Sequence, residues 1–491
     1  MSLPSEVEIK SLKEKYTAAG QVHLFTFYDE LEPDQKISLY NQLSKLDVDR
    51  VNKIFKKSIS VSENTLEQQN LEPLPDNVFD STIDSDEVKV KEWREVGLKN
   101  IAQNRVAVIL MAGGQGTRLG STAPKGCYDI HLPSSKSLFQ LQAERILRLQ
   151  KLAQETVNVP ESVFIPWYVM TSGPTRLSTE AFFKDHNYFG LKKENVIFFE
   201  QGTLPAFTND GKIFLETKSK IAIAPDGNGG IYAALRNEKV LDSLKSRNIK
   251  YAHAYCVDNC LVRVADPVFI GYCISNNADC GAKCVRKSSP EEPVGVIALR
   301  NKKFNVIEYS EIDSAVAAKT KPDGKLLYGA ANIANHFYTV DFLDKVESFE
   351  DGLEYHIAKK KIKHVDLKTG DTVSPSKPNG MKLELFVFDV FPFTERMAVL
   401  EVDRKEEFSP LKNAPGTGAD DPDTSRRDII NQHVRFVENA GGKVIKGDAD
   451  SSFTFEISPL VSYAGEGLDS LKGKTIKTPV TIEKPEDLNK F

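Results

Sequence analysis

Val106 to Gly126 reads VAVILMAGGQGTRLGSTAPKG, and the rest of the chain is best read outward from this stretch. Its first six residues are apolar and rich in β-branched side chains, which suits a strand buried on both faces. The glycines that follow let the backbone turn tightly and approach a ligand. Successive N–H groups aimed into such a concavity make an anion site. Two familiar phosphate loops fail on spacing. No Lys-Ser or Lys-Thr follows where a Walker A loop needs it. In the dinucleotide pattern counted from Gly114 and Gly116, Leu119 stands where a glycine is required and Gly120 comes one place late. Arg118 lies inside the loop, and Lys125 follows Pro124, whose ring fixes the local backbone. A buried strand, a glycine loop, an arginine and then Pro-Lys is an arrangement suited to polyphosphate chemistry, where cations must cover phosphates.

Downstream, apolar spacing predicts a helix over 137–155, with Leu138, Leu141, Leu149 and Leu152 on one stripe. Strands are expected at 163–170, 196–199 and 251–257, helices near 178–186 and from 231, a hairpin over 213–224, and a strand pair at 294–299 and 304–309. Alternation of this kind indicates an α/β fold with a mixed, mostly parallel, Rossmann-like central sheet. The first hundred residues differ. Helical spacing appears at 7–16, 34–46 and 89–101, and 60–87 reads as an extended connecting segment. The expected organisation is a helical N-terminal region over 1–104, a catalytic domain over 105–400 and a small α+β C-terminal domain over 401–491.

The chain has 491 residues with 64 Lys and Arg against 69 Asp and Glu, a formal net charge of −5. That balance leaves no excess cation for a polynucleotide backbone. No apolar run approaches the ~20 residues that span a bilayer, and the polar N-terminus does not read as a signal peptide. Neither a nucleic acid nor a membrane is an expected partner. The six cysteines are too sparse for a disulfide scaffold and fit no zinc spacing, so they read as buried free thiols of a reducing, cytoplasmic compartment. Lys359, Lys360, Lys361 and Lys363 form the one dense basic cluster, read as a solvated helix C-terminus.

Beyond the loop, further segments carry a resemblance. They include FFEQGTLPA (198–206), APDGNGGIY (224–232), VDN (257–259), ADCGAK (278–283), EPVGV (292–296) and IEYSEI (307–312). NIANHF (332–337), KPNGMKLELFVFD (377–389), EFSPLKN (407–413) and EISPLVSYAGEGL (456–468) complete the set. Together with MAGGQGTRLGSTAPKG (111–126) they resemble the nucleotide-sugar pyrophosphorylases, and within them the eukaryotic UDP-N-acetylglucosamine branch, over roughly residues 90–470.

The resemblance implies a nucleotide-sugar transferase type of fold and a reaction of UTP with N-acetylglucosamine 1-phosphate, with Mg²⁺ as cofactor, while the sequence leaves the oligomeric state, a monomer included, open. It implies that Gly113, Gly114, Gln115, Gly116 and Thr117 lie against the nucleotide, and that Gln201 and Gly227 read the uracil edge. Arg118, Lys125, Lys382 and Lys412 would supply positive charge to the phosphates, and Asp258 would hold the metal. Asn228, Gly295, Glu308, Tyr309 and Asn332 would meet the sugar, with Phe386 and Phe388 near the N-acetyl group. Each residue also has an ordinary reading. Gln201 could serve a turn, Asp258 could cap a helix, and Lys382 and Lys412 could be solvated. Phe386 and Phe388 would share a strand face and could simply pack a core. Glu308 and Tyr309 are adjacent, so a regular strand would point them to opposite faces. His336 reads as structural. A sister enzyme for glucose or N-acetylgalactosamine 1-phosphate, and a silent nucleotide-sugar sensor, are the competing functions.

Overall fold

The structure, a computed structural model, describes residues 3–64, 70–158, 162–448, 450 and 452–491, and the side chains of 61–64 are left aside. Residues 65–69 of the expected connecting segment lie outside the described residues. The contacts group the chain into two units. One comprises 70–200, 234–348 and 390–491, and the other 1–69, 201–233 and 349–389.

The larger unit is built on an eleven-stranded mixed sheet. Its strands are β1 (Leu71–Glu72), β2 (Phe79–Ser81), β3 (Val106–Met111), β4 (Trp167–Thr171), β5 (Val196–Glu200), β6 (Tyr251–Cys256), β7 (Cys280–Arg286), β8 (Val296–Arg300), β9 (Lys303–Ile307), β10 (Ala330–Thr339) and β11 (Met397–Val402). The main order is β2-β11-β7-β10-β6-β3-β4-β5, with β8 joining β1, β9 and β10 at the side. Pairing along that order is parallel except at β10, which runs antiparallel to both β6 and β7. All six residues of β3 are buried, as its composition requires of a strand covered on both faces. Truncating Leu110 there to alanine would cost about 2–5 kcal/mol.

The covering helices of this unit include α1 (Glu87–Ala102), α2 (Leu138–Val157), α3 (Arg176–Asp185) and α4 (Pro267–Ser275). Ser137 caps α2, its hydroxyl accepting from the Gln140 N–H. Helix α4 is apolar nearly all round and packs against α1. Glycines make that contact possible. A Cβ on Gly97 would lie 1.9 Å from the Pro267 carbonyl oxygen, and one on Gly271 would lie 1.7 Å from that of Trp93. Toward the C-terminus, α5 (Pro422–Asn439) starts at a reciprocal cap between Asp421 and Thr424. It packs on the short parallel pairs Lys443–Ile445 with Thr475–Lys477 and Phe455–Ile457 with Val480–Ile482. Phe436, Val437, Ile457, Ile476 and Ile482 form a core there.

The smaller unit holds the helices Glu6–Ala18, Pro33–Lys45 and Val48–Asn64. Ser5 and Glu8 close a capping box at the first. The third continues to Asn64, so residues 60–64 are helical rather than part of an extended connection. A three-stranded sheet sets Gly380–Glu384 between His356–Lys360 and Phe207–Thr208. Leu39, Leu43, Phe207, Leu215 and Leu383 join the helices to it. The basic cluster at Lys359 falls on the exposed end of the strand His356–Lys360, not at a helix C-terminus. Lys359, Lys360, Lys361 and Lys363 are all exposed, so solvation accounts for their charge.

All six cysteines are free, and Cys260, Cys273, Cys280 and Cys284 are fully buried. Among the described residues, no helix is long and apolar enough to cross a membrane.

Candidate functional site

The glycine loop leaves β3 and folds back on itself. The Gly116 N–H donates to the Ala123 carbonyl at 3.0 Å, and the Lys125 N–H donates to that of Gly114 at 3.1 Å. Gln115 bridges Pro124, and Thr117–Leu119 form one tight turn ended by Gly120 at φ +76°. That left-handed value favours glycine. The Ser172 hydroxyl, just past β4, donates to the Gly113 carbonyl at 2.7 Å. The loop therefore has a fixed outline. Gly114, Gln115, Thr117 and Arg118 lie on its exposed side, and a Cβ on Gly114 would meet nothing within 4 Å.

Lys125 is brought to Asp258. Its ammonium lies 3.5 Å from the Asp258 carboxylate, with the two side chains 17% and 26% exposed. Asp258 follows β6, the strand parallel to β3, so both residues stand at the carboxyl ends of neighbouring strands. Ligands of open α/β sheets bind at such a crevice. The Asp258 turn is stitched to the segment before Lys412. The Leu411 N–H donates to the Asp258 carbonyl at 2.8 Å, Cys260 N–H to Ser409 at 2.9 Å, and the Asn259 side-chain amide to Glu407 at 2.7 Å. Lys412 itself is exposed. The Cys256 thiol lies in the field of all three charges. Burial raises its pKa and Asp258 adds to the rise, while Lys125 and Lys412 oppose it.

A second group forms at the side of the same sheet. The Asn332 N–H donates to the Gly295 carbonyl at 2.9 Å. A Cβ on Gly295 would lie 2.7 Å from a Val306 methyl, which excludes a larger residue, and 3.1 Å from a Glu308 carboxylate oxygen. Gly295, Glu308 and Asn332 are thus brought together. Strand β9 ends at Ile307, so the expected alternation of Glu308 and Tyr309 does not apply. Glu308 is half-buried and Tyr309 is 55% exposed.

Gln201, Gly227, Asn228, Lys382, Phe386 and Phe388 belong to the smaller unit. Gly227, at φ +88°, passes so close to the strand after Glu384 that a Cβ would meet the Leu385 carbonyl oxygen at 2.3 Å. The Asn228 side-chain oxygen accepts from the Val387 N–H at 3.0 Å. Phe386 and Phe388 lie in a turn rather than on a strand, because the strand ends at Glu384. Their rings still meet, 5.2 Å apart. The turn is organised by Asp389, which accepts from the Phe386 N–H at 2.7 Å and faces His356 at 3.0 Å. The His356 ring packs 4.3 Å from that of Phe386. Burial raises the Asp389 pKa, against the pull of His356. Lys382 is half-buried in the middle of its sheet.

Two groups here escaped the sequence reading. Asp226 sits between the Gln201–Gly202 and Gly227–Asn228 turns with one carboxylate oxygen that has no hydrogen-bond partner among the described residues, and burial pushes its pKa up to about 6. Its carboxylate occupies the space that side chains at 202 and 230 would need, which accounts for both glycines. The His356–Asp389 pair is the other. An aspartate three residues after Phe386 was a detectable turn signal.

Among the described residues, no group of three or more His, Cys, Asp or Glu could hold a metal. Asp258 offers one hard carboxylate, partly open and held beyond close hydrogen-bond range of Lys125. That donor set fits a cation such as Mg²⁺, which keeps waters and binds chiefly through substrate phosphates.

The family described as UTP–glucose-1-phosphate uridylyltransferase matches residues 48–427. The chain is 45% identical over 486 residues to the UDP-N-acetylglucosamine pyrophosphorylase of Saccharomyces cerevisiae, covering 96% of this chain and 99% of that one. It is 44% identical over 504 residues to the Homo sapiens UDP-N-acetylhexosamine pyrophosphorylase-like protein 1, covering 99% and 98%. The crystal structure of the Trypanosoma brucei uridine diphosphate N-acetylglucosamine pyrophosphorylase superposes with a TM-score of 0.82 at 30% identity, over 99% of this chain and 100% of that one.

Proposed function

The chain belongs to the UTP–glucose-1-phosphate uridylyltransferase family, and from that premise we propose that it converts UTP and N-acetylglucosamine 1-phosphate to UDP-N-acetylglucosamine and pyrophosphate. The observation that carries this reading is the half-open Lys125–Asp258 pair at the ends of β3 and β6, beside a pre-folded glycine loop. A cation and a carboxylate held apart can each take a ligand, which a closed ion pair cannot do.

In the reaction a phosphate oxygen of the sugar phosphate attacks the α-phosphorus of UTP. The bond from that phosphorus to the β-phosphate oxygen breaks in line, and pyrophosphate leaves. The obstacle is repulsion between two anions, so alignment and positive charge matter more than a covalent nucleophile. Arg118, Lys125, Lys382 and Lys412 carry that charge. The backbone of Gly113 to Thr117 lines the nucleotide. Gln201 and Gly227 read the uracil edge, for which an amide that both donates and accepts is well suited. Asn228, Gly295, Glu308, Tyr309 and Asn332 hold the sugar, and Phe386 and Phe388 pack on the N-acetyl group. Asp258 would hold Mg²⁺, which would neutralise phosphate oxygens when bound. The attacking phosphate is already an anion, so no general base is required. The free thiols suit a reducing cytoplasmic setting.

Pyrophosphate release with UTP, Mg²⁺ and a panel of sugar 1-phosphates tests this. Rapid release is expected with N-acetylglucosamine 1-phosphate and slow release with glucose 1-phosphate. Equal rates with both would overturn the sugar assignment. Activity in excess EDTA would remove the metal, and equal use of CTP would remove Gln201 from the uracil edge.

A further inference from the structure

A side-chain amide can offer a ligand either its oxygen or its nitrogen. Around Asn332 the surrounding groups make that choice. Strand β10 is irregular there. Ala334 adopts φ +51°, a conformation disfavoured for a residue with a Cβ, and the register with β7 shifts between Ala282 and Cys284. The kink turns the Ala334 N–H back onto the Asn332 Oδ1, 3.2 Å away. His336 Nε2 approaches the same oxygen at 3.2 Å.

A backbone N–H can only donate, so Oδ1 is an acceptor and the orientation of the amide is set. His336 is fully buried, and burial together with neighbouring His253 pushes its pKa down to about 3. Its ring is therefore neutral, with one N–H. Facing an acceptor, Nε2 must carry that hydrogen. Nδ1 is then bare, and it accepts from the buried Tyr338 hydroxyl, 3.2 Å away. Both lone pairs of Oδ1 are filled, and the Nδ2 group is the end left to meet a ligand.

We propose that His336 and Tyr338 are positioning residues that lock Asn332 as a hydrogen-bond donor toward the sugar of the sugar phosphate. The inference rests on the assignment of Asn332 to the sugar. The recognised chemistry is an acceptor oxygen, a hydroxyl or carbonyl of the sugar. A hydroxyl that accepts from Asn332 can also donate to the Glu308 carboxylate, which stands beside the Gly295 to which Asn332 is bonded.

Four measurements test the relay. Long-range proton–nitrogen NMR of the whole protein, labelled at histidine, should show His336 protonated at Nε2 with a signal that does not titrate between about pH 5 and 8. An Nδ1-protonated or titrating ring overturns the proposal. Tyr338→Phe should raise KM for N-acetylglucosamine 1-phosphate about tenfold while KM for UTP and kcat change by less than about twofold. A change shared equally by both substrates, or no change, also overturns it. Asn332→Asp keeps an acceptor for Ala334 and His336 but lacks the donor, and should raise the same KM by at least as much. If Asn332→Ala leaves that KM unchanged while the NMR shows Nε2–H, it is the sugar assignment that has failed and not the tautomer.

Discussion

Two lysines of the larger unit face carboxylates in opposite ways. Lys283 on β7 is fully buried, 2.5 Å from Asp266 and in contact with Glu407, and those two are 2% and 4% exposed. Its ammonium also lies 5.5 Å from the centre of the Phe269 ring. Burial alone would raise the Asp266 pKa, but Lys283 and Arg263 outweigh it and hold the carboxyl below its usual range. Lys125 and Asp258 are half-open and 3.5 Å apart. The difference separates a joint from a proposed binding feature. The closed cluster ties β7 and α4 to the Glu407 segment, whose backbone in turn holds the Asp258 turn. The open pair sits on top of that frame with its charges unspent.

The largest expected effect is on the joint. Lys283→Met takes from two buried carboxylates the cation nearest them, leaving Arg263 3.7 Å from Glu407, and should cost about 3–5 kcal/mol of stability, read from urea unfolding. A loss under about 1 kcal/mol would show that the cluster is not a joint. Next comes the open pair. Lys125→Ala should lower turnover about 10²–10³-fold in pyrophosphate release while leaving the urea midpoint in place. An unfolded variant would make Lys125 a second joint and dissolve the contrast.

Acid probes the frame in a third way. The His253 Nδ1 accepts from the Ala265 N–H at 2.9 Å and the His433 Nδ1 from the Ile457 N–H at 3.1 Å, which only neutral rings can do. Burial pushes their pKa values down to about 4 and about 3. Unfolded histidine binds its proton near pH 6.5, so the unfolded state takes up more protons below that pH. Their contribution is complete above about pH 6.5 and fades as pH falls toward 3–4, by up to about 1.4 kcal/mol per pH unit for each ring. Urea midpoints at pH 7, 5.5 and 4.5 should fall in that order. A flat profile would mean the rings are charged in the folded state. The smallest effect belongs to exposed Lys412, where Ala should lower turnover about tenfold, because solvent screens its charge.

Strand β3 was legible because six apolar residues in a row admit few other readings, and the loop after it carries its own spacing. Helix α4 was not. Its sequence PVFIGYCIS lacks a polar face, since α1 and the sheet cover it, and without alternation or a 3.6 period a short apolar run has no readable type. Strand β10 failed for the opposite reason. AANIANHFYT is largely buried yet holds two asparagines and a histidine, whose amide oxygens and ring nitrogens find partners only in three dimensions. The spacing of Phe386 and Phe388 suggests a shared strand face, whereas they lie in a turn past Glu384, where their rings meet through the arrangement of Asp389 and His356. Nor does composition record the passage of the chain back and forth between the two units, because each crossing lies between ordinary globular segments.

The glycine contact between α1 and α4 bears on where this protein can be shortened. Backbone there rests on backbone, so no side chain on α4 stands ready to cover the surface that α1 leaves. A chain beginning at residue 105 would take Trp93 away from Tyr272 and bare the peptide groups at Pro267 and Gly271 to whatever apolar segment it next met. Such a fragment should be recovered as aggregate, and one beginning at residue 70, which retains α1, should keep this contact intact.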